Sequence, residues 1–269
     1  MSFAGLDGAL IALDVDGTLL RTDRTLAERT IEATRLAREA GAVLTLATGR
    51  HYCMVTDLLE CLPAVDYCLS LNGAEVMGRA GETLHLVLLD AEVARDAIES
   101  IREAVPGAIF GLGLEGETRY EPGLEKVIIL GGGPRNLVDD VVPLVVSGPR
   151  NVFVFHPDYR DNLEPLRRMC LEAVTPNGFD VVYSGLPMIE LSPAGAGKDA
   201  ALAWLAGQLG IERGRVVAFG DGLNDVEMIR WAGHGVAMGQ APVEVKEVAQ
   251  VVTETNDTDG VAAWIEAHL

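Results

Sequence analysis

The apolar positions of this chain gather into short runs that stop abruptly at acids or glycines, and these runs alternate with stretches of helical period. Ala9 to Leu13 is an unbroken apolar run of strand length ending at Asp14, the pattern of a strand buried on both faces of a parallel sheet. After a polar loop, Thr25-Leu26-Ala27-Glu28 has the spacing of a capping box. Ile31, Leu36 and Ala37 continue it as a helix that Gly41 stops. Ala42 to Ala47 predicts a second buried strand, ending at Thr48-Gly49-Arg50. Strand, helix and strand make a parallel crossover, so Asp14 and Thr48 are expected on one edge of the sheet. The C-terminal part repeats this grammar. Lys198 to Leu209 reads as a helix with Gly210 behind it, Arg215 to Phe219 as a strand ending at Gly220-Asp221, and Leu223 to Ala232 as a helix. Gly235 to Met238 follows as a strand, Val243 to Val248 as a helix and Thr258 to His268 as a closing helix. The alternation predicts a doubly wound, parallel-sheet α/β domain with its site at the carboxyl ends of the strands.

The middle of the chain breaks this rhythm. Between about residues 87 and 187 the pattern predicts helices over Asp90 to Val105 and Asp161 to Val174. Short strands are predicted over Ala108 to Leu112, Lys126 to Leu130, Val152 to Phe155 and Asp180 to Tyr183, with Gly131-Gly132-Gly133 among them. A stretch of about 100 residues with its own strands and helices is large enough for a separate domain. The expected organisation is a core of residues 1–86 and 188–269 interrupted by an inserted domain of residues 87–187.

Composition narrows the partners. The chain has 269 residues with 49% hydrophobic and 23% charged positions, enough apolar material for a large core and against disordered or disulfide-scaffold classes. Lys and Arg number 21 against 40 Asp and Glu, a formal charge of −19 with no basic run to offset it. Nucleic acid and anionic membrane surfaces are therefore not expected partners. Cys53, Cys61, Cys68 and Cys170 lack zinc-site spacing and sit among apolar neighbours, so packing thiols in a reducing compartment are expected. Asp7 stands where a secretory signal wants basic residues, and no apolar run approaches the roughly 18 to 20 residues of a membrane helix. A cytoplasmic protein, monomeric or homodimeric, is the expectation.

The stretch Asp14-Val15-Asp16-Gly17-Thr18-Leu19 carries the most chemistry. Two carboxylates two residues apart at the end of an extended segment project to one side, and Gly17 lets the chain turn without a side chain in the way. Such a pair can bind a divalent cation, with one acid ionised as a nucleophile and the other exchanging a proton. Gly220-Asp221-Gly222-Leu223-Asn224-Asp225 brings two more acids to the end of a similar strand. Four converging carboxylates repel one another unless a cation resolves the conflict, and an all-oxygen set without His or Cys favours Mg2+. Thr48 at the second strand end adds a hydroxyl, and Lys198 at a helix start adds a positive charge suited to a phosphate.

Five motifs in fixed order, DVDGTLL (14–20), LATGR (46–50), NGAEV (72–76), GAGKDAAL (195–202) and GDGLNDVEM (220–228), resemble the haloacid dehalogenase superfamily, specifically its Cof-type phosphatases with a type IIB cap. The closing segment from Gly235 to Ile265 is similar to the family's as well. The resemblance implies a Rossmann-like haloacid dehalogenase core with an inserted α+β cap, and an Mg2+-dependent phosphatase acting on small phosphorylated metabolites, sugar phosphates first. By the resemblance, Asp14 forms an aspartyl-phosphate and Asp16 serves as acid and then base. Asp14, the Asp16 carbonyl, Asp221 and Asp225 would hold the metal, with Asp225 as a direct ligand or just behind one. Thr48 and Lys198 would hold the phosphoryl group, and Gly49, Arg50, Asn72 and Asn224 would contact substrate.

Other signals are weaker. Gly111 to Gly116 fits G-x-G-x-x-G, but Glu117 to Pro122 is a poor helix opening, so a dinucleotide site is not expected. A triphosphate-binding loop at Gly197-Lys198 fails because Ser192 and Asp199 stand where Gly and Ser or Thr are required. His51 beside Arg50 is read as a surface or capping residue. Arg119, Tyr120, Lys126 and Arg160 are polar candidates of the inserted domain, read as solvated surface. Competing functions are a phosphohexomutase with a similar DVDGTL start, a phosphosugar-binding protein without catalysis, and a signalling receiver, for which this chain is too long.

Overall fold

The computed structural model describes residues 5–125, 136–174, 178–183 and 186–269. The strand expected over Lys126 to Leu130 and the glycines that follow lie outside them. Among the described residues the strands run in chain order β1 (Leu10–Leu13), β2 (Val43–Ala47), β3 (Tyr67–Ser70), β4 (Glu75–Gly78), β5 (Thr83–Leu86), β6 (Ile109–Gly113), β7 (Thr118–Tyr120), β8 (Asn136–Leu137), β9 (Asn151–Phe155), β10 (Phe179–Tyr183), β11 (Ile189–Pro193), β12 (Val216–Gly220), β13 (His234–Ala237) and β14 (Val251–Val252). They form an eight-stranded sheet in the order β14-β13-β12-β1-β2-β3-β4-β5 and a six-stranded sheet in the order β10-β11-β9-β6-β7-β8. The chain divides into two compact units, Met1–Thr48 with Thr56–Leu84 and Gly197–Leu269, and Gly49–Val55 with His85–Ala196.

The first unit is an α/β layer of the expected kind. β1 lies between β12 and β2, parallel to both, and β13 and β3 extend the parallel run outward. Only at β4 does the pairing turn antiparallel. β1 is fully buried along its length, because alternate side chains serve opposite faces and both are covered. Leu10 and Ala12 pack with Leu202, Leu205 and Ala206 of the helix Lys198–Leu209. On neighbouring β12, Phe219 meets Trp264 of the helix Gly260–Glu266 edge to face, with ring centroids 5.3 Å apart.

Element ends show where local signals compete. The helix expected from Thr25 runs over Glu28–Glu39, and its N-cap, Ala27, makes no side-chain cap. Asp23 captures both the Thr25 amide and hydroxyl, at 2.9 and 2.6 Å, so the capping box does not form. Lys198–Leu209 ends with Gly210 at φ 66°, the left-handed conformation that suits glycine after a helix. The stretch Leu223 to Ala232 divides into a 3-10 turn, Leu223–Asp225, and a helix, Val226–Trp231.

The second unit packs the helices Ala91–Ala104 and Glu164–Ala173 on one face of its sheet, where Ile98, Ile101, Leu166 and Cys170 meet Phe110, Leu112, Val152 and Leu191. Its helix start is well made: Asp90 accepts from the Glu92 and Val93 amides at 2.9 and 3.1 Å. β11 pairs antiparallel with both β9 and β10, so this unit extends to Ala196, past the expected boundary at 187. The glycines from Gly111 to Gly116 occupy a hairpin, with Gly111 and Gly113 opposite Tyr120 and Thr118, so the segment that follows them directly is the strand Thr118–Tyr120. Tyr120 is fully buried rather than solvated, and Arg119 pairs with Glu117 at 2.9 Å. The cysteines are free thiols. Cys68 and Cys170 are buried as expected, whereas Cys61 is exposed. No helix among the described residues is long and apolar enough to cross a membrane.

Candidate active site

The first unit's parallel strands deliver their acids to one edge. The Asp14 amide continues the ladder onto Phe219 O at 3.1 Å, which sets the residue after β1 level with Gly220, the last residue of β12 before Asp221. The chain then turns at Gly17, whose φ is +84°. A Cβ at Gly17 would lie 2.3 Å from Asp221 Oδ2, so the absent side chain makes room for the second acidic loop. Thr18 donates its hydroxyl to Asp221 Oδ1 at 3.0 Å and joins the two loops from the other direction.

Lys198 is the node of the site. Its ammonium is 2.7 Å from Asp14 Oδ1 and 2.6 Å from Asp225 Oδ1, and its side chain is fully buried. Asp225 uses its other oxygen to accept the amides of Asp221 and Gly222 at 3.0 and 2.9 Å. One carboxylate thus fixes both the cation and the loop that carries Asp221.

A third segment joins through a strained turn. Leu71, Asn72 and Gly73 have φ of 50°, 53° and 98°, a left-handed run that two non-glycine residues adopt at some cost. Gly73 has no alternative, since a Cβ there would lie 2.2 Å from Gly197 O, directly before Lys198. The turn brings the Asn72 amide to Thr48 O at 3.0 Å and Asn72 Oδ1 to Asn224 Nδ2 at 3.0 Å. Thr48 itself is buried at the end of β2, its amide bonded to Leu69 O at 2.8 Å.

Asp14, Asp221, Asp225, Lys198, Thr48, Asn72 and Asn224 therefore belong to one hydrogen-bonded edge of the first unit. Asp16 stands exposed just beyond β1. Gly49 and Arg50 fall in the segment that clusters with the second unit. His51 has the capping role expected of it: Nδ1 accepts from the Cys53 amide at 3.3 Å and Nε2 donates to Leu114 O at 2.8 Å. Thr18 and Gln240 are site neighbours that residue patterns do not pick out. Thr18 lies inside the first motif, where its place after the turning glycine is the available signal; Gln240, which reaches the Gly17 carbonyl from 223 residues away, offers none.

Charge explains what the arrangement requires. Asp14, Asp221 and Asp225 offer oxygens within 4.8 Å of one another, against the single ammonium of Lys198. Burial pushes the Asp14 carboxyl well above its usual range, Asp225 adds repulsion, and Lys198 offsets only part. Burial and Asp225 likewise push Asp221 up to about 6. Lys198 loses hydration by burial, but Asp14 and Asp225 outweigh that and hold its charge more firmly than usual. A buried all-oxygen cluster with surplus negative charge suits a hard divalent cation such as Mg2+. Both Asp225 oxygens are engaged, so Asp14 and Asp221 are the better placed direct ligands.

The Asp221 shift fixes a pH dependence. A carboxyl whose folded value lies at about 6, above the ordinary 3.8, binds its proton more tightly in the folded state. Metal-free protein should therefore lose this stability as pH rises from about 4 through about 6. Cation binding needs the ionised form, so the rise in melting temperature on adding MgCl2 should grow over the same range. Melting curves with MgCl2 and with EDTA across that range check this; a Mg2+ effect independent of pH would contradict it.

Fold and edge geometry together define an α/β enzyme core with a carboxylate–lysine site at the carboxyl ends of parallel strands. Residues 11–118 and 153–265 match the sequence profile of the haloacid dehalogenase-like hydrolases, and the chain belongs to that family. It is 31% identical over 261 residues to a 5-amino-6-(5-phospho-D-ribitylamino)uracil phosphatase of Bacillus subtilis, covering 97% of this chain and 95% of the relative. The pyridoxal phosphate phosphatase of Escherichia coli K12 is 30% identical, with 97% and 98% covered. Among solved structures, a haloacid dehalogenase-like hydrolase from Bacteroides thetaiotaomicron superposes with a TM-score of 0.84 at 29% identity, over 97% of this chain and 99% of that one.

Proposed function

We propose that this protein is an Mg2+-dependent phosphomonoester hydrolase acting on a small phosphorylated metabolite through an aspartyl-phosphate. The observation that carries the reading is the buried Asp14–Lys198–Asp225 chain, with contacts of 2.7 and 2.6 Å, beside Asp221. It presents a fixed carboxylate, a fixed cation and a place for a second cation, which is what phosphoryl transfer to a side-chain oxygen needs. Relatives that act on a ribitylamino phosphate and on pyridoxal phosphate support the substrate class.

In this reading an Asp14 oxygen attacks phosphorus in line, and the bond from phosphorus to the leaving oxygen breaks. Asp16 gives that oxygen its proton, then takes one from the water that splits the aspartyl-phosphate and releases inorganic phosphate. Lys198 holds Asp14 in one orientation and, with the Thr48 hydroxyl, faces the phosphoryl oxygens. Asp14, the Asp16 carbonyl and Asp221 would hold Mg2+, and Asp225 would fix them from behind through Lys198 and the loop amides. When bound, the metal offsets charge on the phosphoryl oxygens and on the clustered acids. Asn72, Asn224, Gly49 and Arg50 are assigned to substrate contact, and the inserted unit to choice of leaving group.

The test is release of inorganic phosphate from a panel of some dozens of phosphorylated metabolites, sugar phosphates, polyol phosphates and pyridoxal phosphate included. Turnover is expected with MgCl2 and its loss with EDTA. A hexose 1-phosphate plus a bisphosphate activator belongs in the panel, because isomer interconversion without free phosphate would replace the hydrolase reading with a mutase.

A further inference from the structure

The turn that follows the first acidic strand is tied to the C-terminal segment by side chains that the proposed chemistry leaves unused. Gln240 donates through Nε2 to the Gly17 carbonyl, and its Oε1 accepts the Asn256 amide at 3.1 Å. Asn256, itself buried, donates through Nδ2 to the Leu20 carbonyl at 3.0 Å. Asp257 accepts the Thr22 amide and hydroxyl, each at 2.9 Å. Asp259 takes the Arg21 guanidinium on both oxygens at 2.8 to 3.0 Å. It does so from φ 60°, and although it stands at the N-cap of Gly260–Glu266 its side chain makes no cap. A strained residue that forgoes its cap for a contact 238 positions away in sequence points to the contact as its purpose.

What this brace holds follows from the exposure of Asp16. The core does not enclose this side chain, so the course of the backbone that carries it bears directly on where the carboxyl stands. Before Asp16 that backbone is fixed by fully buried Val15 and by the Asp14 amide on Phe219 O. Behind it, Leu20 bridges to Asp16 in parallel fashion, with the Leu20 amide on Val15 O at 2.9 Å. Besides the Leu19 amide on Asp14 O and the Thr18 hydroxyl on Asp221, the turn is held by its Gly17 and Leu20 carbonyls, which Gln240 and Asn256 bind. We propose that Asn256 and Gln240 are positioning residues that keep Asp16 in place for proton transfer to the leaving oxygen. This rests on the phosphatase reading, and it adds residues from the far end of the chain to the site.

General-acid catalysis matters most when the leaving group is a poor one, which separates this role from a structural one. Asn256→Ala is to be compared with wild type on two esters, p-nitrophenyl phosphate with a good leaving group and phenyl phosphate with a poorer one. The ratio kcat/KM reports steps up to transfer of phosphorus to Asp14, so proton donation enters it through the leaving group alone. With general acids contributing about 10²–10⁴-fold, the expected result is a fall of about tenfold or more for phenyl phosphate and no more than about threefold for p-nitrophenyl phosphate. Equal falls on both esters would mark Asn256 as structural and overturn the proposal, as would no change on either. If melting curves show that Asn256→Ala does not fold, Gln240→Ala takes its place on the same two esters: an unequal fall supports the proposal, and equal falls or no change overturn it. Wild-type protein that releases phosphate from neither ester and from no metabolite of the panel removes the phosphatase reading along with the proposal, whereas wild-type turnover with equal losses removes the proposal alone.

Discussion

Asp14→Asn should abolish phosphate release while raising the thermal stability of the metal-free protein. The variant keeps the shape of the side chain and loses the nucleophilic oxygen, so turnover is expected to fall by about 10⁴-fold or more. The stability effect has the opposite sign. Burial and Asp225 already push the Asp14 carboxyl well above its usual range, so its ionised form is unfavourable in the fold at neutral pH. A neutral amide removes that penalty. A gain of about 1 kcal/mol would appear as a rise of about 2–4 °C in EDTA for a protein of this size. MgCl2, which should stabilise the wild type, should stabilise the variant less, because a ligand is gone. Melting curves with and without MgCl2, beside a phosphate-release assay, measure both effects. Normal phosphate release by the variant would remove Asp14 from the role of nucleophile. A lower melting temperature in EDTA would show that Asp14 is there for structure.

In the first unit β3, β4 and the exposed β5 and β14 are not legible in the sequence, whereas the central strands β1, β2, β12 and β13 are, because they are buried on both faces. Such strands must be apolar throughout, and an acid or glycine at their end marks the sheet edge unambiguously. Leu10–Leu13 before Asp14 and Val216–Gly220 before Asp221 are of this kind. β11 is illegible for the converse reason. Its Glu190 is fully buried and accepts Asn151 Nδ2 at 2.9 Å and the Ser192 hydroxyl at 2.8 Å. A polar residue satisfied by one partner on the neighbouring strand and another on its own gives no apolar signal that it belongs in a sheet. The Thr25 capping box fails on a competition two residues long, since Asp23 reaches the same amide first. At the site, residue types and spacing point to Asp14, Asp221 and Lys198, but not to what Lys198 does. Its place at a helix start suits a phosphate, and the structure also makes it the bond between two acids that would otherwise repel.

Lys198→Met should be the most destabilising change at the site, and its effect should depend on Asp14. The methionine fills similar space, but Asp14 and Asp225 lose an ammonium at 2.7 and 2.6 Å in a place from which water is excluded. Breaking a buried pair by removing one partner costs about 3–5 kcal/mol, here a fall of about 10 °C or more in melting temperature. Phosphate release should drop by about 10²–10³-fold or more, as expected for loss of a fixed charge beside the developing one. MgCl2 should recover part of the stability, since a divalent cation supplies the missing positive charge. Lys198→Arg should not rescue the loss, because a planar guanidinium does not fit a fully enclosed ammonium position. The decisive measurement is the double variant. The acids outnumber the cation by two in the wild type, by one in Asp14→Asn and by three in Lys198→Met, counting Asp14, Asp221 and Asp225 against Lys198. Asp14→Asn with Lys198→Met returns the excess to two. If charge balance governs the site, the double variant should melt above Lys198→Met in EDTA, with a coupling of about 1–3 kcal/mol between the two positions. Strict additivity would mean that Lys198 stabilises the fold by packing alone.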